Sequence, residues 1–72
     1  MKKRSFSIAG HRTSVALEAE FWSALKDEAR HRGVSLSTVV GDVDAARSER
    51  NLASALRVHV LKSALGRFAP SL

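Results

Sequence analysis

The chain has 72 residues and no cysteine, so it forms one small domain without disulfide bonds or thiolate metal ligands. Hydrophobic residues make up 44% of the chain, more than a core of this size can hide, which predicts a homodimer. The net charge of +5 favours an anionic partner, and the four basic side chains within residues 1–17 are accompanied by no acidic one.

The first residues do not resemble a targeting signal. Met1-Lys2-Lys3-Arg4 is followed by polar residues, and no stretch approaches the 18 apolar residues that a membrane-spanning helix needs. We therefore expect a cytoplasmic protein with no membrane partner. Residues 1–10 are expected to form a basic N-terminal arm, and no internal repeat is apparent.

Polar and apolar residues alternate between residues 5 and 17. Phe6 and Ile8 begin the alternation, Gly10 interrupts it and is expected to bend the chain, and a second run follows. In that second run Thr13, Val15 and Leu17 alternate with Arg12, Ser14 and Ala16. This run predicts one strand of about seven residues, and a lone strand is unstable, so we expect it to pair with the same strand of a second copy. Whether Phe6 and Ile8 lengthen the strand or pack beside it stays open.

An amphipathic helix is predicted over residues 18–32. Its apolar side chains recur with a period of 3.6 residues, and basic residues close it. Gly33 is placed to adopt the left-handed conformation that ends a helix, with Val34 contacting Ala29 in a Schellman arrangement.

Two further helices complete the chain. Ser35 is expected to cap the second helix, which fades around Ala46. Asn51 or Ser48 is expected to cap a third helix, which ends near Leu65 with Gly66 after it. The third helix is apolar on so much of its circumference that we expect one side to meet the other subunit.

The strand and the helical stripes together predict the core of a dimer. Phe21 and Trp22 are adjacent on their helix, so only one of them can enter that core. The predicted core residues are Val15, Leu17, Phe21, Leu25, Leu36, Val39, Val40, Val43, Leu56 and Val60.

The order of strand, helix, tight turn and helix resembles the ribbon-helix-helix family of dimeric DNA-binding proteins, of the Arc and MetJ type. The residues that carry the resemblance are Arg12-Thr13-Ser14-Val15-Ala16-Leu17, Phe21-Trp22 with Leu25, and Gly33-Val34-Ser35-Leu36-Ser37 with Val39 and Val40. The wider run from Gly10 to Val58 is similar to a bacterial subgroup with an extra C-terminal helix. The resemblance implies a mainly α fold with one short strand that pairs antiparallel across an intertwined homodimer. Residues 11–47 would form the family core, and residues 48–72 an additional helix and tail.

The strand also carries the candidate DNA-reading residues. If its apolar positions face the protein, Arg12, Ser14 and Ala16 face away, and the family's base-reading strand positions correspond to the same three residues. Paired with its two-fold mate, the strand would form a ribbon that fits the DNA major groove, where Arg bonds guanine and Ser serves either base type. The alternative is the solvated outer face of an ordinary dimer strand.

Two groups of residues are candidates for phosphate contacts. Lys2, Lys3 and Arg4 can follow the DNA backbone, with His11 as a flank of the ribbon. The resemblance implies a second site at the start of the second helix, where unpaired N–H groups and the helix dipole bind phosphate. Its residues are Ser35, Leu36 and Ser37, the hydroxyl of Ser35 acting mainly as a cap.

No catalytic or cofactor site is predicted. The three histidines lie on separate elements without metal-ligand spacing, and no nucleophile has an adjacent base. Asp42 and Asp44 diverge on their helix, so local salt links such as one with Arg47 explain them better than paired-carboxylate chemistry. We expect neither an enzyme nor a cofactor.

The pattern as a whole predicts a sequence-specific transcriptional regulator, most simply a repressor, that binds double-stranded operator DNA as a homodimer through its ribbon. Two alternatives stay open. One is an antitoxin whose third helix and tail engage a toxin while the ribbon regulates its own operon. The other is a dimerisation or adaptor module that does not bind DNA.

Overall fold

The computed structural model describes residues 1–68 of the chain as a hairpin followed by three helices. The strands are β1 (Lys2–Ile8) and β2 (His11–Leu17), and the helices are α1 (Ala19–Arg32), α2 (Leu36–Ala46) and α3 (Leu52–Phe68). The mainly helical class with antiparallel strand pairing and an additional C-terminal helix is therefore confirmed.

The number of strands differs from the prediction. Lys2–Ile8, expected as a basic arm, forms β1 and pairs antiparallel with β2 along its whole length, from Lys2 opposite Leu17 to Ile8 opposite His11. The expectation of a single strand is wrong, and the partner of β2 here belongs to the same chain. Charged residues at the inward positions of β1, Lys2 and Arg4, concealed the alternation in the sequence.

A two-residue turn joins the strands. Ala9 has φ 51° and Gly10 has φ 81°, so both adopt the left-handed conformation that a type I′ hairpin turn requires. Glycine adopts this conformation freely, whereas alanine is destabilised there by about 1–2 kcal/mol. The predicted bend at Gly10 is thus a tight reversal, with backbone strain at Ala9.

The connection between α1 and α2 follows the prediction. Gly33 has φ 68°, its N–H donates to the carbonyl of Arg30, and the N–H of Val34 donates to the carbonyl of Ala29 over 3.0 Å, which is the Schellman pattern. Ser35 caps α2 because its hydroxyl accepts the N–H of Thr38 over 3.1 Å. Local capping chemistry therefore determines where α1 stops and α2 starts.

The third helix is capped by Asn51 rather than Ser48. The side-chain oxygen of Asn51 accepts the N–H of Ser54 over 2.7 Å. The predicted end near Leu65 is too early, because α3 continues through Gly66 instead of stopping before it. Of the predicted C-terminal tail, residues 69–72 lie outside the described residues.

The buried side chains form one core between the hairpin and the three helices. Among the predicted dimer-core residues, Phe21, Leu36 and Val60 are half-buried at its margin, and the others are buried. Trp22, only 2% exposed, enters the core in place of Phe21. The buried residues are Val15, Leu17, Trp22, Leu25, Ala29, Val39, Val40, Val43, Leu52, Ala55 and Leu56.

An ion pair ties α3 to the start of α1. The Arg57 guanidinium donates to both carboxylate oxygens of Glu18, over 3.1 and 3.4 Å, and lies over the Phe21 ring at 5.8 Å. A hydrogen bond from its own backbone N–H and then the Arg57 guanidinium lower the pKa of the Glu18 carboxyl. Within residues 1–68, no helix is long and apolar enough to cross a membrane.

We predict that Ala9→Asn stabilises the protein by about 0.5–1 kcal/mol, because asparagine tolerates the left-handed conformation and Asn-Gly is the preferred type I′ pair. Gly10→Ala is the matched control and should destabilise, since it places a second Cβ at positive φ. Urea unfolding of the three proteins measures both effects. An unchanged midpoint for Ala9→Asn would show that residue 9 is not left-handed in solution.

We predict that Glu18→Gln lowers the unfolding temperature at neutral pH and that the difference from the parent disappears in acid. A carboxyl with a lowered folded pKa stabilises the fold above its unfolded pKa and loses that contribution as pH falls through the folded pKa. Thermal unfolding followed by circular dichroism across the acid range checks this. Glu49→Gln, which removes an exposed carboxylate with no ion pair among residues 1–68, should follow the parent at every pH.

Candidate nucleic-acid interface

The β1–β2 hairpin has an apolar face and a polar face. Val15 and Leu17 are buried on the inner face, and Phe6 and Ile8, on β1, are half-buried on the same side. Side chains alternate along a strand, so the remaining positions point away from the helices. These outward positions, the outer face, are Lys3, Ser5 and Ser7 on β1 and Arg12, Ser14 and Ala16 on β2.

The three predicted base-reading residues therefore share one surface. Arg12 and Ser14 are exposed, and Ala16 is half-buried. Sequence reasoning missed that β1 adds three more residues to this surface. The sequence pattern that could have revealed them is the alternation of Lys3, Ser5 and Ser7 with Phe6 and Ile8, which matches the alternation in β2.

The strand register specifies which outward residues are neighbours. Lys3 lies opposite Ala16, and Ser7 lies opposite Arg12. Between these pairs, the Ser5 and Ser14 hydroxyls are hydrogen-bonded at 2.9 Å. The outer face thus has hydroxyls at its centre and one cation toward each end, at diagonally opposite corners.

The predicted basic group at the N-terminus divides between the two faces. Only Lys3 belongs to the outer face, whereas Arg4 lies over the Trp22 ring at 5.8 Å, on the side of the helices. The indole Nε1–H of Trp22 donates to the carbonyl of Lys2 over 2.8 Å, and the rings of Phe6 and Trp22 are 5.9 Å apart. These contacts hold β1 against α1, so Lys3 is presented from a packed strand.

The start of α2 provides the second predicted phosphate site. The Ser35 hydroxyl accepts a hydrogen bond from the backbone N–H of Thr38 and is also hydrogen-bonded to the Thr38 hydroxyl. Among the described residues, the backbone N–H groups of Leu36 and Ser37 have no backbone partner, as expected for the first helical turn. The geometry thus agrees with Ser35 acting as a cap and leaves two N–H groups at the positive end of the helix.

The three histidines stay apart. His11 begins β2 and is exposed, the His31 ring lies 2.9 Å from the carbonyl of Asp27, and His59 Nε2 lies 2.6 Å from a carboxylate oxygen of Glu28. Within the described part of the chain, no three metal-ligating side chains come together.

Ion pairs neutralise most of the acidic side chains of the helices. Asp44 pairs with Arg47 at 2.6 Å, as the sequence suggested, and Asp42 pairs with Arg32 at 2.7 Å. The remaining pairs with arginine are Asp27–Arg30, Glu28–Arg32 and Glu18–Arg57. The outer face, by contrast, contains two cations, no acidic residue and no ion pair formed within residues 1–68, so its positive potential is not cancelled locally.

The comparisons with known proteins agree with this arrangement. A family model described as a ribbon-helix-helix domain matches residues 1–64, a span that includes β1 and most of α3. No curated protein and no solved structure matches the chain. The chain belongs to the ribbon-helix-helix family, whose domains are in general DNA-binding regulatory modules.

Proposed function

We propose that the chain is a sequence-specific transcriptional repressor that binds operator DNA as a homodimer. The observation that carries the proposal is the outer face, a narrow polar surface with a cation toward each end and no acidic side chain. A two-stranded ribbon has the dimensions of the major groove. Repression would follow from occupation of promoter DNA.

Each predicted contact has a distinct role in this proposal. Arg12 bonds the acceptor edge of a guanine, Ser14 bonds either base type, and Ala16 gives an apolar contact such as one with a thymine methyl. Phosphates are held by the N–H groups at the start of α2, with Ser35 shaping that site, and by His11 and the basic residues of β1. The base contacts select the sequence, and the phosphate contacts position the protein.

The homodimer is supported by an unpartnered strip on α3. Leu61 and Leu65 are separated by one helical turn and are 56% and 57% exposed. A chain of this size gains stability from covering such a strip, and the family is one of dimerising DNA-binding modules. We propose a second copy as the occupant, which gives a two-fold symmetric dimer and predicts an operator with inverted half-sites.

We predict that the protein selects a short inverted repeat from a random duplex pool at about 150 mM salt, where non-specific electrostatic binding is weakened. Arg12→Ala should reduce the preference for the selected base pair about 5- to 150-fold, the equivalent of ~1–3 kcal/mol. Arg30→Ala, which removes an exposed arginine of α1, is the control and should keep that preference. A folded protein that leaves the pool random would contradict the proposed function.

We predict that Leu61→Glu with Leu65→Glu converts the dimer to a folded monomer, because a charge at the centre of an apolar contact is desolvated without a partner. Sedimentation equilibrium measures the mass, and circular dichroism checks folding. Lys26→Glu, which reverses the charge of an exposed residue on α1, is the control and should stay dimeric. A double variant that remains dimeric would place the interface elsewhere.

A further inference from the structure

A groove lies between the end of α2, the loop that follows it and the first three turns of α3. Its volume is about 480 Å³, which is within the range of sites that bind small molecules. All of its lining residues fall between residues 42 and 62. The groove is therefore separate from the outer face of the hairpin.

The deep part of the groove is apolar. Val43 on α2 and Ala55 on α3 are 8% and 7% exposed, so they form its floor, and Ala46 and Val58 line it as well. Two of these four side chains are methyl groups, which are too small to fill the space between the two helices. A ligand that enters the groove would therefore contact hydrocarbon.

The loop at one end of the groove is braced by hydrogen bonds. Arg47, which follows α2, donates to the Asp44 carboxylate over 2.6 Å and to the carbonyl of Arg50 over 2.9 Å. The N–H of Arg50 donates in return to the carbonyl of Arg47 over 3.1 Å. These contacts hold the backbone of Arg50 in place, and they pair the charge of Arg47 with Asp44.

Both helical walls of the groove are connected to α1. Asp42, on the α2 wall, pairs with Arg32 over 2.7 Å, and His59, on the α3 wall, lies 2.6 Å from Glu28. Arg32 and Glu28 also pair with each other, over 3.2 Å. This chain of contacts fixes the spacing of the two walls, and it matches the charge of the acidic wall residue, Asp42, with an arginine.

Two cations of the groove keep an unmatched charge. Arg50 and Lys62 line the groove, are exposed, and form no ion pair with any described acidic side chain. Glu49, the sequence neighbour of Arg50, is not among the lining residues. The groove thus combines an apolar floor with a positive rim, and an organic anion complements both.

We propose that the groove between α2 and α3 is a binding site for a small organic anion, a molecule with one carboxylate or similar acidic group on an apolar body. The apolar body covers Val43 and Ala55, and Arg50 and Lys62 hold the anionic group at the rim. A neutral molecule of the same shape loses the rim contacts, and a cation is repelled. The site lies apart from the candidate nucleic-acid interface, so the inference does not depend on the proposed function.

The groove and the apolar strip of α3 lie on different faces of that helix. The groove residues Ala55, His59 and Lys62 recur at i, i+4 and i+7, so they share one face. At 3.6 residues per turn, this face is about 100° around the helix from Leu61 and Leu65. The second copy proposed for the strip and the small anion therefore have separate binding surfaces.

The ligand class is tested by NMR titration of the full chain at about 150 mM salt with octanoate, octan-1-ol and octylammonium. Octanoate should shift the backbone amide signals of residues 42–62 to saturation and leave those of the hairpin unchanged. Octan-1-ol should bind about 2- to 30-fold more weakly, as expected when two exposed ion pairs are lost, and octylammonium more weakly still. Equal affinities for octanoate and octan-1-ol, or octanoate shifts that do not saturate, would overturn the inference.

The role of the rim is tested by removing its charges. Arg50→Gln and Lys62→Gln should each weaken octanoate binding about 2- to 5-fold and leave octan-1-ol binding unchanged, because each removes one exposed ion pair. Lys26→Gln, which neutralises an exposed lysine of α1, is the matched control and should change neither affinity. A loss that is equal for the two probes would show that the rim does not recognise charge, which contradicts an anion site.

The location of the site is tested by filling the groove. Ala46 is exposed at the end of α2, so Ala46→Trp adds a large side chain to the groove without displacing the buried core, and it should abolish octanoate binding. Ala45→Trp, at an exposed neighbour that does not line the groove, should retain binding. Circular dichroism checks that both variants fold. Octanoate affinity that is the same in the two variants would place the anion elsewhere and refute the assignment.

Duplex binding by the same variants separates this site from a DNA surface. Arg50→Gln and Lys62→Gln should leave the affinity for the selected duplex unchanged. If they weaken binding to every duplex and octanoate does not bind, the two cations contact DNA phosphates, and the inference fails while the proposed function stands.

Discussion

The pairing of β1 with β2 is the contact on which the rest of the structure depends. A single strand would expose both of its hydrogen-bonding edges, and an isolated hairpin is at best marginally stable. Here the hairpin packs on the helices through Phe6, Val15 and Leu17, and the Trp22 indole fixes the backbone at Lys2. Because this inner face is held by the core, strand alternation presents every other side chain outward as a regular surface.

Charge is distributed so that this surface stays positive. The acidic residues fall between residues 18 and 50, and most of them form ion pairs with arginines of the helices. Such exposed pairs add little stability, but they leave the helical part of the domain close to neutral. Within residues 1–68 the cations of the hairpin form no ion pair with these acids, so the positive potential that attracts an anionic polymer is concentrated at the hairpin.

The sequence allowed the helices to be predicted better than the strands. Gly33 and Ser35 act through hydrogen bonds within a few residues, so their patterns determine the turn between α1 and α2 regardless of the rest of the fold. The pairing of β1 was concealed because Lys2 and Arg4 occupy inward positions of the strand and because alanine at residue 9 is an unusual type I′ residue. Gly66 led to the opposite error. It was predicted to follow the end of the third helix, but it lies inside α3. The outer face was therefore predicted on β2 and missed on β1, since β1 itself was not predicted as a strand.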